Sequence, residues 1–274
     1  MEESRVYRGI LGAIIGDIVG RPFEFHNKLS TDFALFSELS RFSDDTVTTI
    51  AVANWLLKEE PLVDSLRSWA RRYPRSSWGK RFFYWLFADQ PQPPYNSFGN
   101  GSAMRVSPCG YVAQSFEEAL ALSKESAEVT HNHPEGIKGA QAIAIALFLA
   151  RNKASKKEIK EYITHHFDYD LTPTCEDLRK NSFHSETCQE TCPRAIIAFL
   201  ESQDYESSLR LAISIGGDSD TIAAMTGGIS AAYYGIPEQI VERARKYLPA
   251  DILEVVERFD KEFVSSSQQQ QPLK

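Results

Sequence analysis

Gly9, Gly12, Gly16 and Gly20 recur at intervals of three or four residues through an otherwise apolar stretch. That spacing lines them up on one face of a helix, and Ile10, Leu11, Ile14, Ile15 and Ile18 supply its apolar face. A stripe without side chains lets another backbone, or a ligand, approach closely. Helical periods run through the rest of the chain, over 43–58, 62–73, 135–151, 156–166, 193–202, 205–215, 220–234, 237–248 and 251–263. The β-branched residues are scattered within these periods and form no alternating runs. The pattern predicts an all-α fold, one compact multi-helix domain over residues 1–264, with no fixed repeat of the solenoid kind. Two segments interrupt it. Residues 89–102 are rich in Pro, Gly and Asn, and 168–191 are polar and long enough for a lid or specificity loop. The Ser/Gln-rich end, 265–274, is expected to be disordered.

The formal net charge of −7 offers nucleic acid no bulk attraction, so an anionic substrate would need local cations or backbone amides. The most apolar runs, near 10–19 and 140–150, are too short to span a bilayer and are broken by Asp17 or bounded by Lys138 and Arg151. The opening Met1-Glu2-Glu3 is unlike a secretory n-region, which points to the cytoplasm and no membrane partner. There Cys109, Cys175, Cys188 and Cys192 would be reduced thiols. Cys188 and Cys192 with His184 have a zinc-like look, but no second pair completes a tetrahedral set.

Two acidic clusters, Ser43-Asp44-Asp45-Thr46 and Asp218-Ser219-Asp220-Thr221, each open a helical period, the second introduced by Gly216-Gly217. Ser is a good N-cap and Asp suits the first helical turn, so capping is one reading. A cap needs one oxygen, however, and each cluster brings two carboxylates plus hydroxyls, hard donors that suit Mg²⁺, Mn²⁺ or Ca²⁺. If the two helix starts converge, four carboxylates would line a pocket too negative to stand without cations. Asp17 and Glu24 flank Gly20-Arg21-Pro22. A buried Asp17 would need a partner, and Glu24 is the candidate general base or metal-adjacent acid, or else a surface carboxylate.

Ser97-Phe98-Gly99-Asn100-Gly101-Ser102 suits either an anion-binding nest of backbone N–H groups or a tight turn with Gly at positive φ. Phe98 could stack on a base and Arg105 pair with a carboxylate or phosphate. The loop is no Walker A sequence, since Lys-Ser/Thr does not follow. In Thr130-His131-Asn132-His133, one histidine is expected to hydrogen-bond a ligand, while His26, His165 and His166 read as surface or helix-end residues.

Taken in order, Gly12-Ala13-Ile14-Ile15-Gly16-Asp17, Pro22-Phe23-Glu24, the first acidic cluster, Ser97 to Arg105, Thr130-His131 and Gly216 to Thr221 resemble the ADP-ribosylglycohydrolase family, the DraG-type ADP-ribosylhydrolases. The resemblance implies an all-α fold with a binuclear metal site in a cleft, holding two divalent cations, Mg²⁺ or Mn²⁺. Its ligands would be Ser43, Asp44, Asp45, Asp218, Asp220 and Thr221, with Ser43 standing where the family commonly has Thr. Glu24, with Asp45 and Asp218, would carry the catalysis. Asp17, Ser97, Phe98, Gly99, Asn100, Gly101, Ser102, Met104 and His131 would contact the substrate. The implied reaction is hydrolysis of an N- or O-glycosidic bond that releases ADP-ribose from a modified acceptor, a protein side chain first, with an ADP-ribosylated base still open. One alternative is a two-metal hydrolase acting on a nucleotide-like phosphoester, but neither His nor Lys flanks the acidic clusters. Another is a non-catalytic ADP-ribose-binding or crystallin-like relative, against which stand the retained ligand-type side chains and Glu24. The acceptor linkage, the choice of metal and the oligomeric state have no readable code.

Overall fold

The computed structural model describes residues 5–6 and 9–264, and the expected disordered tail lies outside them. In chain order the helices are α1 (Leu11–Gly20), α2 (Asp44–Lys58), α3 (Leu62–Arg72), α4 (Lys80–Phe87), α5 (Gly101–Met104), α6 (Ser107–Val112), α7 (Phe116–Glu128) and α8 (Pro134–Arg151). They continue with α9 (Lys156–Phe167), α10 (Cys175–Lys180), α11 (Cys188–Glu201), α12 (Tyr205–Ser214), α13 (Ser219–Tyr234), α14 (Glu238–Arg245) and α15 (Ala250–Phe259). Among the described residues the strands are one antiparallel pair, β1 (Arg5–Val6) and β2 (Ile236–Pro237), with Val6 opposite Ile236. The all-α reading holds, and no described helix is long and apolar enough to cross a membrane.

The glycine stripe of α1 finds its neighbour in α13. A Cβ on Gly12 would lie 2.5 Å from the Gly227 carbonyl oxygen, and one on Gly20 would lie 2.6 Å from the Asp220 Cα. A Cβ on Gly16 would sit on the Ala223 carbonyl. The two backbones therefore touch along the whole length of α1, which seats the start of α13 at the end of α1. Gly216 and Gly217, with φ of 70° and 85°, turn the chain into that start, a conformation that L side chains rarely adopt. Around this pair lies the core, with α8 at its centre: Ile143, Ile145 and Leu147 are fully buried.

Several helices depart from the sequence expectation. α7 was not expected: its charged residues dilute the period, and it buries small side chains, Ala119, Ser123, Ser126 and Ala127. It starts because Ser115 accepts the Glu118 N–H at 3.1 Å. α11 begins at Cys188 and carries Pro193 inside it. Its first turn is anchored on the 97–102 segment, where Cys188 N donates to Phe98 O at 3.0 Å. Within the expected 168–191 loop, α10 is held by a Thr174/Asp177 capping box.

Because α13 has nowhere to move, Gly16→Val is expected to cost about 3 kcal/mol or more by overpacking. Gly79→Ala, with nothing within 4 Å of the added carbon, is expected to stay within about 0.5 kcal/mol. Urea unfolding of the two variants would check this, and equal stability would contradict the close approach.

Candidate active site

The α1–α13 contact brings the two acidic clusters together. Asp17, buried on α1, points its Oδ2 at the start of α2 and accepts from Ser43 N (2.8 Å), Thr46 N (3.1 Å) and Thr46 Oγ1 (2.5 Å). Ser43 is indeed the N-cap, its Oγ accepting from Asp45 N at 3.2 Å. The capping need of α2 is thereby met without the Asp44 or Asp45 carboxylate. Across the gap, Thr221 Oγ1 donates to Asp45 Oδ2 at 3.3 Å, which joins the two clusters directly. Carboxylate oxygens of Asp17, Asp45 and Asp220 lie within 4.8 Å of one another, and so do those of Glu24, Asp218 and Asp220. Asp220 belongs to both groups. Asp44 is half-buried and belongs to neither.

So many buried acids cannot all carry charge unaided. Burial first, then the neighbouring carboxylates, push Asp45 and Asp220 well above the ordinary Asp range. Asp44 is raised likewise, by burial and then by Asp220 and Asp17. Burial raises Asp17 as well, and lifts Asp218 to about 6. Arg21 is the guanidinium within this group: it pairs with Glu24 and with Asp220 (3.0 Å) and donates to Ser77 Oγ at 2.5 Å. Asp17 Oδ1 and Asp45 Oδ1 are buried without a hydrogen-bond partner. A hard all-oxygen donor set with unpaired buried carboxylate oxygens fits a divalent cation.

Beside the acids lies the 97–102 segment. Asn100 Nδ2 donates to Asp218 Oδ2 at 2.7 Å, which ties this segment directly to the second cluster. Gly99 and Gly101 do not have positive φ. Their role is to leave space: a Cβ on Gly101 would stand 3.0 Å from His131 Nε2. Two of the N–H groups expected to face an anion bond inside the protein, Gly99 N to Ser97 Oγ (3.1 Å) and Asn100 N to Glu186 O (2.8 Å). Phe98 is 46% exposed and its ring lies 5.3 Å from that of His133, leaving aromatic surface open. Ser102 is fully buried and donates to Gly136 O at 2.7 Å, so its hydroxyl holds the loop to α8. Met104 is buried against the second cluster, its Sδ 4.0 Å from Thr221 Oγ1. His131 faces the loop, while His133 caps α8 by accepting Glu135 N at 3.1 Å.

Arg105 corrects the sequence reading: it is fully buried and donates to Ser126 O and Thr130 Oγ1, with no carboxylate partner among the described residues. The zinc-like look of the cysteines is also resolved. Cys188 Sγ packs on Gly99 O at 3.1 Å, while His184 pairs with Glu186. Arg21, Asn27 and Thr46 are site-building residues the sequence reading missed. Asn27 grips Gly217 at both ends, donating to its O and accepting from its N, each at 2.9 Å, which fixes the turn carrying Glu24 against the second cluster. The signals were slight: a basic residue between two acids, and the last residue of the first cluster.

The model of the family described as ADP-ribosylglycohydrolase matches residues 1–270. Human ADP-ribosylhydrolase ARH3 is 26% identical, over 90% of this chain and 91% of its own length. An ADP-ribosylarginine hydrolase of Pseudomonas putida is 24% identical, over 88% of this chain and 74% of its own. A solved structure, an ADP-ribosylglycohydrolase-related protein complex, superposes with a TM-score of 0.69 at 22% identity, over 93% of this chain and 96% of that one, and shows the same fold.

Raised carboxyl pKa values in the folded state mean that the folded protein holds protons the unfolded chain releases. The associated stability is present below the ordinary Asp value of 3.8 and is lost as pH rises through the raised values, for Asp218 by about pH 6 and for Asp44, Asp45 and Asp220 well above the ordinary Asp range. In chelator the thermal midpoint should therefore fall from about pH 4 to about pH 7. Added Mg²⁺ or Mn²⁺ should raise it more at about pH 7 than at about pH 5. Scanning calorimetry would check this; a metal-induced shift that does not grow with pH would show that these carboxyls do not hold the cation.

Proposed function

Because the chain belongs to the ADP-ribosylglycohydrolase family, we propose that its cleft hydrolyses the N- or O-glycosidic bond between ADP-ribose and an acceptor, a protein side chain first. The observation that carries this reading is the Asn100–Asp218 hydrogen bond, which joins the 97–102 segment to the second acidic cluster. Ser43, Asp44, Asp45, Asp218, Asp220 and Thr221 would hold two divalent cations, Mg²⁺ or Mn²⁺. Bound there, they would polarise the ribose hydroxyls and ease charge development at the anomeric carbon.

The chain's own groups do the rest. Phe98 offers its exposed ring to the adenine, and His131 hydrogen-bonds the ligand beside Gly99 and Gly101. Glu24, fixed by Arg21 and the Asn27 turn, takes the proton from the attacking water, with Asp45 and Asp218 as the neighbouring carboxylates able to share that duty. The water oxygen forms the new bond to the anomeric carbon as the bond to the acceptor breaks. The bonding electron pair leaves with the acceptor heteroatom, which takes up a proton, and ADP-ribose departs. Asp17 positions α2 beneath this chemistry, and Met104 floors it. An arginine linkage has support in the Pseudomonas putida relative, an ADP-ribosylarginine hydrolase.

Release of ADP-ribose from mono-ADP-ribosylated arginine and serine peptides, in Mg²⁺, Mn²⁺ and chelator, tests the reading, with metal-dependent release expected. Glu24→Gln should keep ADP-ribose binding and lose about 10²- to 10⁴-fold in turnover. Asp218→Ala should lose more than about 100-fold while keeping cooperative unfolding. Near-normal turnover in Glu24→Gln would remove that residue from the chemistry.

A further inference from the structure

Arg105 is fully buried without an ion pair. Its Nη2 donates to Ser126 O (2.6 Å) and Thr130 Oγ1 (3.0 Å), while Nε and Nη1 lack partners. Phe82 lies 5.8 Å from its guanidinium carbon, and no carboxylate bridges to it among the described residues. Burial lowers its pKa to about 10. A guanidinium buried in this way is costly, and hydrophobic packing alone would be better served by an apolar side chain. What it touches suggests its use.

A guanidinium only donates, so the Thr130 hydroxyl accepts from it. The same hydroxyl lies 2.7 Å from His131 Nδ1. Thr130 is fully buried, and among the described residues no other acceptor takes its hydroxyl proton, so the pair is read with Oγ1 donating to Nδ1. Nδ1 therefore carries no proton, and a neutral ring must carry it on Nε2. Burial and then Arg105 lower the pKa of His131 well below the ordinary value, which keeps the ring neutral. Nε2 makes no hydrogen bond among the described residues and faces the cradle floor, 3.0 Å and 3.7 Å from where a Cβ of Gly101 or Gly99 would stand.

We propose that Arg105 is a positioning residue: through Thr130 it locks His131 as the Nε2-protonated tautomer, so that the cradle presents a fixed N–H donor to an anionic oxygen of a diphosphate-bearing nucleotide. The idea rests on the reading of 97–102 as the ligand cradle. It supplies a donor where Gly99 N and Asn100 N are already engaged. It also explains why the loop needs glycine at 101, since any side chain there would meet the ring.

The test is ¹⁵N–¹H long-range correlation of the histidine rings in the free protein, with His131 assigned by loss of its signals in His131→Gln. The expected pattern is a neutral ring protonated on Nε2. Thr130→Val should give a mixture of tautomers and weaken ADP-ribose binding about tenfold by calorimetry, and Thr130→Ser should restore both. Arg105→Met, of similar bulk and without a donor, should give the same mixture. If it does not fold, the threonine pair still decides. An Nδ1-protonated ring in the wild type, or a Thr130→Val protein with unchanged tautomer or unchanged affinity, would overturn the proposal. Failure of the wild type to bind ADP-ribose would instead overturn the cradle reading, while the ring signals would still report on the relay.

Discussion

The close approach of α1 and α13 is the constraint on which the site depends. Two helices from opposite ends of the sequence touch backbone to backbone because Gly12 faces Gly227, Gly16 faces the Ala223 carbonyl and Gly20 faces the start of α13. At the distance usual for helices carrying larger side chains, about 8–10 Å between axes, the Thr221 to Asp45 hydrogen bond would be harder to reach. The fold's tightest packing thus serves the acids at its end.

That placement opposes the protein's own stability. Asp17, Asp45, Asp218 and Asp220 are buried close together; burial pushes all four towards holding a proton, and the neighbouring carboxylates push Asp45 and Asp220 further. Arg21 offsets part of the repulsion, and Asn27 and Thr46 turn local backbone and carboxylate groups into fixed geometry. A divalent cation would remove the remaining conflict, so the electrostatic cost and the chemistry have the same origin. The buried Arg105 poses a similar problem on the cradle side, where its cost is tied to the state of one histidine ring.

Much of this was legible in the residues. The glycine stripe announced a close backbone neighbour, and the excess of carboxylates over capping needs announced a cluster of acids of the kind that suits a cation. The identity of that neighbour was not legible, because a glycine says only that something approaches. Capping and metal binding looked like rivals in the sequence, and the structure meets the first with Ser43 alone, without the carboxylates of Asp44 and Asp45. Helix α7 escaped notice because its buried face is made of small residues, which carry little periodic signal. Arg105 was misjudged because an arginine after a glycine-rich loop suggests a ligand contact, whereas here it points into the core. Asn27 was invisible because its role depends on a turn distant in sequence.

The most direct test of the account is anomalous scattering from crystals grown with Mn²⁺, recorded at the manganese edge. The account predicts two peaks in the cleft, ligated by the carboxylates of Asp44, Asp45, Asp218 and Asp220. No peak there, or a single peak held by exposed surface acids, would contradict it.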